Sequence, residues 1–284
     1  MAIKYNDLYM DLRRRLREAG AEDATQAARE LVCTASGKTK NELLRDGLLY
    51  ASPEVERSAY SLCARHLAGE PVAYLIGEWE FYGLGLDISP AVLIPRPETE
   101  VLVDVVLEGL ADVEAPCVLE VGCGTGCIAC SLAREAGTQV VATDVSSEAV
   151  ACARANVEML GLEELVEIVE CDCVEGVEGA FDCLVSNPPY IPTAELAELP
   201  HEVTGFEPSL ALDGGADGLV FFDRLVAEAL PLVKDGGLFA CELHETCLDE
   251  AARRLREAGC IDVKVTKDLV GRDRIVSGIC RDLQ

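Results

Sequence analysis

The sequence predicts an α/β fold in which helices cover both faces of a mostly parallel β-sheet, preceded by a small helical domain. From residue 116 onwards, short apolar runs typical of buried strands alternate with helical stretches, which is the pattern of a parallel sheet. Before residue 76, the apolar residues recur instead with the period of helices. The length suits one large or two small domains.

The composition limits the classes of partner. The 284 residues include 24 Lys and Arg against 51 Asp and Glu, for a formal net charge of −27. A nucleic-acid-binding protein needs a basic face, so this charge argues against wide contact with phosphates. No signal-peptide pattern and no apolar run of membrane-spanning length is visible, so we expect no membrane partner. The 14 cysteines are then interpreted as reduced thiols of a cytoplasmic protein.

Residues 1–75 predict a helical domain. Apolar residues at helical spacing indicate helices that end at Gly20 and Gly69. Asp23 and Gln26 have the spacing of a capping box for a further helix. No residue pattern in this region indicates catalysis, so we expect it to serve recognition.

Residues 76–92 predict a connecting β-hairpin. Short strand-like runs separated by glycines occur at 74–76, 78–82 and 84–88. The following segment, 93–100, contains two prolines that make a stiff loop. Thr99 has the position of an N-cap for the helix that comes next.

Residues 93–284 form the predicted catalytic domain. The expected parallel strands are 117–121, 140–143, 166–169, 181–185 and 238–243. Helices are expected between them, for example at 147–160 and 219–230. Two final strand-like runs, 263–266 and 274–280, are joined by a short loop and predict an antiparallel end to the sheet.

A glycine-rich segment lies where the first of these strands gives way to a helix. Its sequence at 120–126 is Glu-Val-Gly-Cys-Gly-Thr-Gly, and glycines there let backbone N–H groups approach a ligand closely. Asp144 ends the next strand and could accept hydrogen bonds from ribose hydroxyls, or cap the helix that follows. Asp172 ends the third strand and could contact an adenine amino group, or simply end a turn. The set indicates a nucleoside cofactor without separating NAD from S-adenosylmethionine.

The motif Asn-Pro-Pro-Tyr at 187–190 closes the fourth strand-like run. Prolines donate no hydrogen bonds and keep the backbone extended, so the loop is stiff and presents an Asn side chain beside bare carbonyls. Such acceptors could hold an NH2 group in line with a sulfonium methyl, which favours a methyltransferase over a hydride-transfer enzyme. The alternative is a turn that merely ends a strand.

The cysteines at 123, 127 and 130 have the C-x3-C-x2-C spacing of radical S-adenosylmethionine enzymes that hold an iron–sulfur cluster. A radical enzyme needs a barrel-type repeat of strands and helices, which the flanking motifs contradict. The three histidines are isolated and have no metal-ligand spacing. We therefore expect no metal site.

Several segments occur together and in order: 93–100, 120–126, Asp144, 187–190, 206–208 and 214–218. With them the chain resembles the PrmC (HemK) family of release factor glutamine N5-methyltransferases over nearly its whole length. The Asn-Pro-Pro-Tyr motif alone is shared with adenine N6-methyltransferases, and the Pro-Arg-Pro loop at 95–97 is more specific.

The resemblance implies a Rossmann-like class I methyltransferase domain with an antiparallel final strand, and S-adenosyl-L-methionine as cofactor. It implies methylation of the glutamine in the Gly-Gly-Gln motif of class I peptide chain release factors, recognised through residues 1–75. The cofactor would be bound by Glu120, Gly122, Cys123, Gly124, Thr125, Gly126, Asp144, Asp172, Cys173 and Asn187. The substrate glutamine would be bound by Asn187, Pro188, Pro189 and Tyr190, with Asn187, Pro188 and Tyr190 in catalysis.

The chain departs from the family pattern in three places. Glu120 stands where aspartate is common, and Cys173 stands where a bulkier residue is often found. The sequence Glu-Leu-His at 242–244 differs slightly from the usual Glu-Ile-Gly, and we assign it no role.

The expected chemistry follows from the substrate. A carboxamide nitrogen is a poor nucleophile, and the Asn187 oxygen and Pro188 carbonyl could accept its two N–H bonds and aim it. Tyr190 could pack against the amide plane, and no carboxylate base is required. Two other hypotheses are an adenine N6-methyltransferase acting on nucleic acid, which the acidic charge disfavours, and a non-catalytic cofactor-binding module, which the intact motif at 187–190 disfavours.

Overall fold

The computed structural model describes residues 2–281, which divide into two compact units. Unit 1 comprises the described residues up to Glu78 together with Pro200–Phe206, and unit 2 comprises Trp79–Leu199 and the described residues from Glu207 onwards. Each unit has a hydrophobic core of its own. Within the described residues, every helix is too short or insufficiently apolar to span a membrane.

Unit 1 is helical, as the hydrophobic period predicted. Its main helices are α1 (Tyr5–Glu18), α2 (Ala24–Ser36), α3 (Lys40–Arg45), α4 (Pro53–Leu67) and α5 (Val72–Ile76). Its core is built around leucines of α1 and α2 that are fully shielded from solvent. Apolar residues that recur every three or four positions thus bury one face of each helix.

Two local predictions in unit 1 are wrong. The run 74–76 is the helix α5 rather than a strand, and Gly77 ends it with a left-handed φ of 76°. Asp23 makes no side-chain cap to α2, whereas Thr39 and Glu42 form a reciprocal capping box at α3. Propensity favoured a strand for this β-branched and aromatic run, but packing against the helical core prevails.

Unit 1 also contains a segment that is distant in sequence. The short helix α9 (His201–Thr204) belongs to this unit. The rings of His201 and Phe206 meet edge to face with centroids 5.9 Å apart. Gly69 lies against them, since a Cβ there would be 3.1 Å from the His201 ring.

Unit 2 contains the hairpin and the sheet. The hairpin strands are β1 (Glu78–Phe81), which begins at the boundary, and β2 (Leu84–Asp87). The sheet strands are β3 (Cys117–Val121), β4 (Gln139–Asp144), β5 (Val166–Glu170), β6 (Phe181–Ser186), β7 (Val233–Glu242), β8 (Ile261–Lys267) and β9 (Asp273–Ile279). Their order is β5-β4-β3-β6-β7-β9-β8.

Strands β3 to β7 pair in parallel, and β9 pairs antiparallel with both β7 and β8. The predicted fold class, a mostly parallel sheet with an antiparallel final strand, is confirmed. Alternate residues of β6 enter different cores, with Cys183 and Val185 on one face and Leu184 on the other. A strand buried on both faces explains the continuous apolar run in the sequence.

Helices cover both faces of the sheet. They are α6 (Pro97–Gly109), α7 (Cys127–Ala136), α8 (Ser147–Leu160), α10 (Val220–Arg224) and α11 (Leu248–Glu257). The stretch predicted to be helical over 219–230 is helical but irregular, because α10 continues as a π-helical turn, Leu225–Ala229, and a 3-10 turn, Leu230–Leu232. Pro231 has no N–H to extend a helical ladder, which explains the irregular end.

Candidate active site

A large cavity opens where the parallel strands β3, β4 and β6 end. Its volume is about 880 Å³, and all its lining residues belong to unit 2. Ligands of open parallel sheets bind beyond the carboxyl ends of the strands, so this is the expected place. The predicted site residues that line it are Glu120, Gly122, Cys123, Gly124, Thr125, Asp144, Asp172, Cys173, Asn187 and Pro189. Those outside its lining are Gly126, Pro188 and Tyr190.

The glycine-rich segment forms a turn that is fixed to the neighbouring strand. The N–H groups of Gly122 and Cys123 both donate to the Thr143 carbonyl, at 2.8 and 2.9 Å. Gly126 has a φ of 76°, and a Cβ there would lie 3.3 Å from the Cβ of Ala153. Both the left-handed φ and the close approach of α7 to α8 require glycine at 126.

Asp144 links this turn to the start of α8. One carboxylate oxygen accepts the Gly124 N–H at 2.9 Å, and the other accepts the Ser146 N–H at 2.9 Å. The cap of α8 itself is Ser146, whose hydroxyl accepts the Ala149 N–H at 3.2 Å. An ionised carboxylate has further lone pairs, so Asp144 can still accept hydrogen bonds from a ligand in the cavity.

Glu120 is a buried carboxylate at the floor of the cavity. It is 1% exposed, and among the described residues neither oxygen accepts a hydrogen bond of good geometry, the Ala129 N–H being its nearest backbone donor. Burial raises the pKa of this carboxyl well above its ordinary value, the backbone of Ala129 offsets part of the rise, and Asp144 adds to it. A buried carboxylate without a partner is unfavourable. It therefore fits a cationic ligand group such as the ammonium of S-adenosyl-L-methionine.

The far wall of the cavity combines charge with an aromatic ring. Asp172 accepts a hydrogen bond from the Arg224 guanidinium at 2.9 Å, which lowers the pKa of Asp172. Arg224 also pairs with Glu228 and lies over the ring of Phe221, which lines the cavity. Cys173 is buried beside them. The sequence did not single out Phe221 or Arg224, because neither lies in a recognisable motif.

Asn187 follows the end of β6 and faces the other side of the cavity. Its side-chain Nδ2 donates to the Thr99 hydroxyl at 3.0 Å. The preceding residue, Ser186, is anchored by a hydrogen bond from its hydroxyl to the Val121 carbonyl at 2.6 Å. With the amide nitrogen engaged by Thr99, the Asn187 oxygen is left as the group available to a ligand.

Behind Asn187 lies a buried network of polar side chains. The Thr99 hydroxyl donates to Glu242 Oε2 at 2.7 Å, and the Tyr190 hydroxyl donates to Glu242 Oε1 at 3.2 Å. Burial raises the pKa of Glu242 to about 7, although Thr99, Arg274 and Tyr190 favour its charged form. Burial and the Glu242 charge likewise raise the pKa of Tyr190.

These contacts revise three expectations. Thr99 is not the cap of α6, which begins at Pro97, and its hydroxyl is directed at Glu242 instead. Tyr190 lies deeper than a residue that packs on a substrate amide, because it donates to Glu242 and does not line the cavity. Glu242, to which the sequence assigned no role, is the acceptor for both. The signal that could have revealed it is a lone carboxylate at the end of an apolar strand.

An ion pair holds a proline-rich loop that borders the cavity. Arg96, which lines the cavity, forms a salt bridge with Glu207. The other oxygen of Glu207 accepts the Ile94 N–H at 3.3 Å. The proline-rich loop at 93–97 is thereby tied to the segment that begins at Glu207 and continues along the cavity as Pro208–Ala211.

The three cysteines with iron–sulfur spacing belong to the hydrophobic core. Cys123, Cys127 and Cys130 are all buried in the cluster between the sheet and α6 to α8. Burial raises the pKa of the Cys130 thiol to about 12 and that of the other two as well, so the thiols stay protonated at neutral pH. Among residues 2–281, no group of three or more His, Cys, Asp or Glu is arranged to hold a metal ion.

Two family models match the chain. Residues 7–77 match the PrmC N-terminal domain, and residues 98–200 match the methyltransferase small domain.

Curated relatives match over most of the length. The chain is 38% identical to the release factor glutamine methyltransferase of Caulobacter vibrioides, covering 95% of this chain and 94% of that protein. It is 39% identical to the protein of that name from Deinococcus radiodurans, covering 96% of this chain and 98% of that one.

Solved structures share the fold. The catalytic domain of human METTL16, in complex with an RNA hairpin, superposes with a TM-score of 0.58 at 20% identity, covering 78% of this chain and 81% of that one. A methyltransferase from Pyrococcus furiosus gives a TM-score of 0.55 at 25% identity, covering 76% and 96%. The METTL16 likeness concerns the fold alone.

Proposed function

The chain belongs to the release factor glutamine methyltransferase family and uses S-adenosyl-L-methionine, and from this premise we propose its reaction. It transfers a methyl group to the side-chain nitrogen, N5, of the glutamine in the Gly-Gly-Gln motif of class I peptide chain release factors. The family membership supplies the substrate class. The cavity supports the proposal, because residues predicted for the cofactor and residues predicted for the acceptor both line it.

The observation that carries the proposal is the orientation of Asn187. Its Nδ2 is engaged by Thr99 at 3.0 Å, so its oxygen is the atom offered to the cavity. A primary carboxamide has two N–H donors and therefore matches an acceptor of this kind. Pro189 lines the cavity beside it, and the prolines keep the loop stiff.

The other end of the cavity fits the cofactor. Asp144 can accept hydrogen bonds from a ribose, Glu120 can face an ammonium, and Phe221 offers a flat apolar surface for adenine. When bound, S-adenosyl-L-methionine supplies an electrophilic methyl on a sulfonium. The glycines of the turn let its backbone N–H groups approach the cofactor closely.

Asn187 does its chemical work by orientation and charge stabilisation. Its oxygen accepts one N–H of the glutamine amide, and we assign the second to the Pro188 carbonyl on the basis of the family resemblance alone, since Pro188 itself does not line the cavity. The two acceptors direct the nitrogen lone pair toward the methyl and stabilise the positive charge that develops on nitrogen. The methylated nitrogen is then acidic and loses its proton to water, so no side-chain base is needed.

We further propose that residues 1–75 are the release-factor-recognition domain, that 76–92 are a connecting hairpin and that 93–284 are the methyltransferase domain. A cluster of large apolar side chains on unit 1 supports a recognition role. Leu44 and Leu48 are 84% and 78% exposed, and Leu49 and Tyr50 are also exposed. Exposed apolar clusters often mark protein contact sites.

The test is incubation of the protein with labelled S-adenosyl-L-methionine and a purified class I release factor, followed by peptide mass mapping. We expect one added methyl on the Gly-Gly-Gln glutamine, and none when that glutamine is replaced by alanine. The competing acceptor is adenine, because it also presents an NH2 group. Methyl transfer to DNA or RNA adenine with none to the release factor would overturn the proposal.

A further inference from the structure

We propose that Thr99 and Glu242 are positioning residues that fix which way the Asn187 amide faces, and so make the acceptor site selective for a group that donates hydrogen bonds. The inference rests on the proposed function, in which Asn187 receives the substrate amide. Glu242 does not line the cavity. It acts on the acceptor through Thr99.

The first step is the direction of the hydrogen bonds. An ionised carboxylate only accepts, and a threonine hydroxyl has one proton to donate. While Glu242 is ionised, Thr99 donates that proton to it at 2.7 Å, so toward Asn187 the hydroxyl can only accept. The group it accepts from is the Asn187 NH2, at 3.0 Å. The polarity of the chain therefore runs from Asn187 to Glu242 and leaves the Asn187 oxygen toward the cavity.

The second step is that the network is closed on its other side. The Tyr190 hydroxyl donates to the second oxygen of Glu242 at 3.2 Å, so both oxygens accept. Glu242 and Thr99 are 1% and 2% exposed. Glu242 is thereby shielded from water that could otherwise compete for its oxygens, whereas Thr99 borders the cavity. The Asn187 amide is part-buried and borders the cavity, and one fixed donor–acceptor chain behind it preorganises it, which is what an aimed contact requires.

The third step concerns protonation. Burial brings the pKa of Glu242 to about 7, opposed by the Thr99 hydrogen bond, by the Arg274 charge and by the Tyr190 hydrogen bond, and assisted by the Glu98 charge. A protonated Glu242 can donate to Thr99, whose hydroxyl can then donate to the Asn187 oxygen. The amide would turn its NH2 to the cavity and meet the NH2 of the substrate.

The test compares Thr99→Val with Thr99→Ser in the full-length protein. Valine keeps the shape and removes the hydroxyl, so we expect kcat with the release factor to fall by about tenfold or more. Serine keeps the hydroxyl and should restore most of the activity. The affinity for S-adenosyl-L-methionine, measured by calorimetry, should stay unchanged in both. Thr138→Val is the matched control, because Thr138 is buried, outside the cavity, and its hydroxyl has no partner.

A pH profile separates positioning from packing. In the unaltered enzyme we expect kcat to fall about tenfold from pH 8 to pH 6 as one group with a pKa near 7 takes up a proton. Glu242→Gln should lower kcat at pH 8 and abolish this dependence. An unaffected Thr99→Val variant, or an acid limb that persists in Glu242→Gln, would overturn the inference. Absence of release-factor methylation by the unaltered enzyme would count against the proposed function instead.

Discussion

The two ends of the cavity are built in different ways. At the cofactor end, Asp144 bonds to Gly124, 20 residues away in the chain, across two adjacent strands. At the acceptor end, Asn187 bonds to Thr99 at a separation of 88 residues, and Thr99 bonds to Glu242 at a separation of 143. Asp144 is thus held by main-chain N–H groups, whereas the Asn187 amide is held by a chain of side chains.

The difference shows what fixes the geometry of the binding groups at each end of the cavity. A turn that binds through its backbone N–H groups needs only glycines and a neighbouring strand. It can therefore be recognised from the sequence as a motif. An amide side chain can turn over, so its orientation depends on partners behind it. Substitutions at the acceptor end should therefore change turnover, and those at the cofactor end should change affinity for the cofactor.

The largest effect is expected for Asn187→Ala. Loss of the aimed acceptor should lower kcat by at least ~10²-fold, the scale for removing one transition-state contact. Single-turnover kinetics with the release factor measure this, and calorimetry should find the affinity for S-adenosyl-L-methionine within a few-fold of normal. Equal losses in kcat and in the affinity for S-adenosyl-L-methionine would show that the two ends of the cavity do not act separately.

The next effect is on stability and concerns Glu242. Its pKa is about 7 in the folded protein against an ordinary 4.5, so the folded state holds the proton more tightly than the unfolded state does. The stability linked to this proton is present in acid and is lost as pH rises through 7. Between pH 5 and pH 8 the unaltered protein should lose about 2–3 kcal/mol relative to Glu242→Gln.

Urea unfolding of both proteins at the two pH values measures that difference, since contributions of other groups cancel between them. The same gap between the two proteins at pH 5 and pH 8 would show that Glu242 does not titrate in this range. The hydrogen bonds behind Asn187 would then not depend on pH in this range.

At the cofactor end, Asp144→Ala should weaken binding of S-adenosyl-L-methionine. Charge-assisted hydrogen bonds to a ribose are worth about 1.5–3 kcal/mol, which corresponds to roughly 10- to 150-fold in the dissociation constant. Calorimetry on a variant with normal circular dichroism is the measurement. Asp144→Asn, which keeps acceptor capacity, should lose less. Unchanged affinity in the alanine variant would remove Asp144 from the site.

The smallest effect is expected for Cys130→Ala. Cys130 is fully buried and does not line the cavity, so methyl transfer should stay within about twofold of normal, while stability falls by about 1 kcal/mol. Anaerobically purified protein should show no iron–sulfur absorbance. If the protein held stoichiometric iron and needed it for activity, the reaction would be radical chemistry and the proposed methyl transfer to a nucleophile would be wrong.

The parallel strands could be predicted because they are short, mainly apolar runs, and β4, β6 and β7 end at the polar residues Asp144, Ser186 and Glu242. The cofactor end followed from the same runs, since Asp144 and the glycine-rich turn end neighbouring strands. The helix α5 could not be predicted, because a five-residue apolar run has no period long enough to distinguish it from a strand.

The acceptor end was predicted only by its motif. Residue types at 187–190 indicated a group that grips NH2, but the direction of the Asn187 amide depends on Thr99 and Glu242. Thr99 lies near a helix start, where a capping role is the local expectation. The fold brings its hydroxyl to Glu242, at a strand end 143 residues away. A local sequence pattern cannot predict such a contact.

The place of β9 has a consequence for how the protein is made. It is the last strand of the described chain, yet it lies inside the sheet between β7 and β8. Glu242 of β7 is opposite Ile275 of β9, so β7 has an open edge until residues 273–279 have been synthesised. Translation adds roughly 5–20 residues per second, and domains fold as units. The strand end that carries Glu242 therefore gains its β9 neighbour only after all the parallel strands of the sheet have been made.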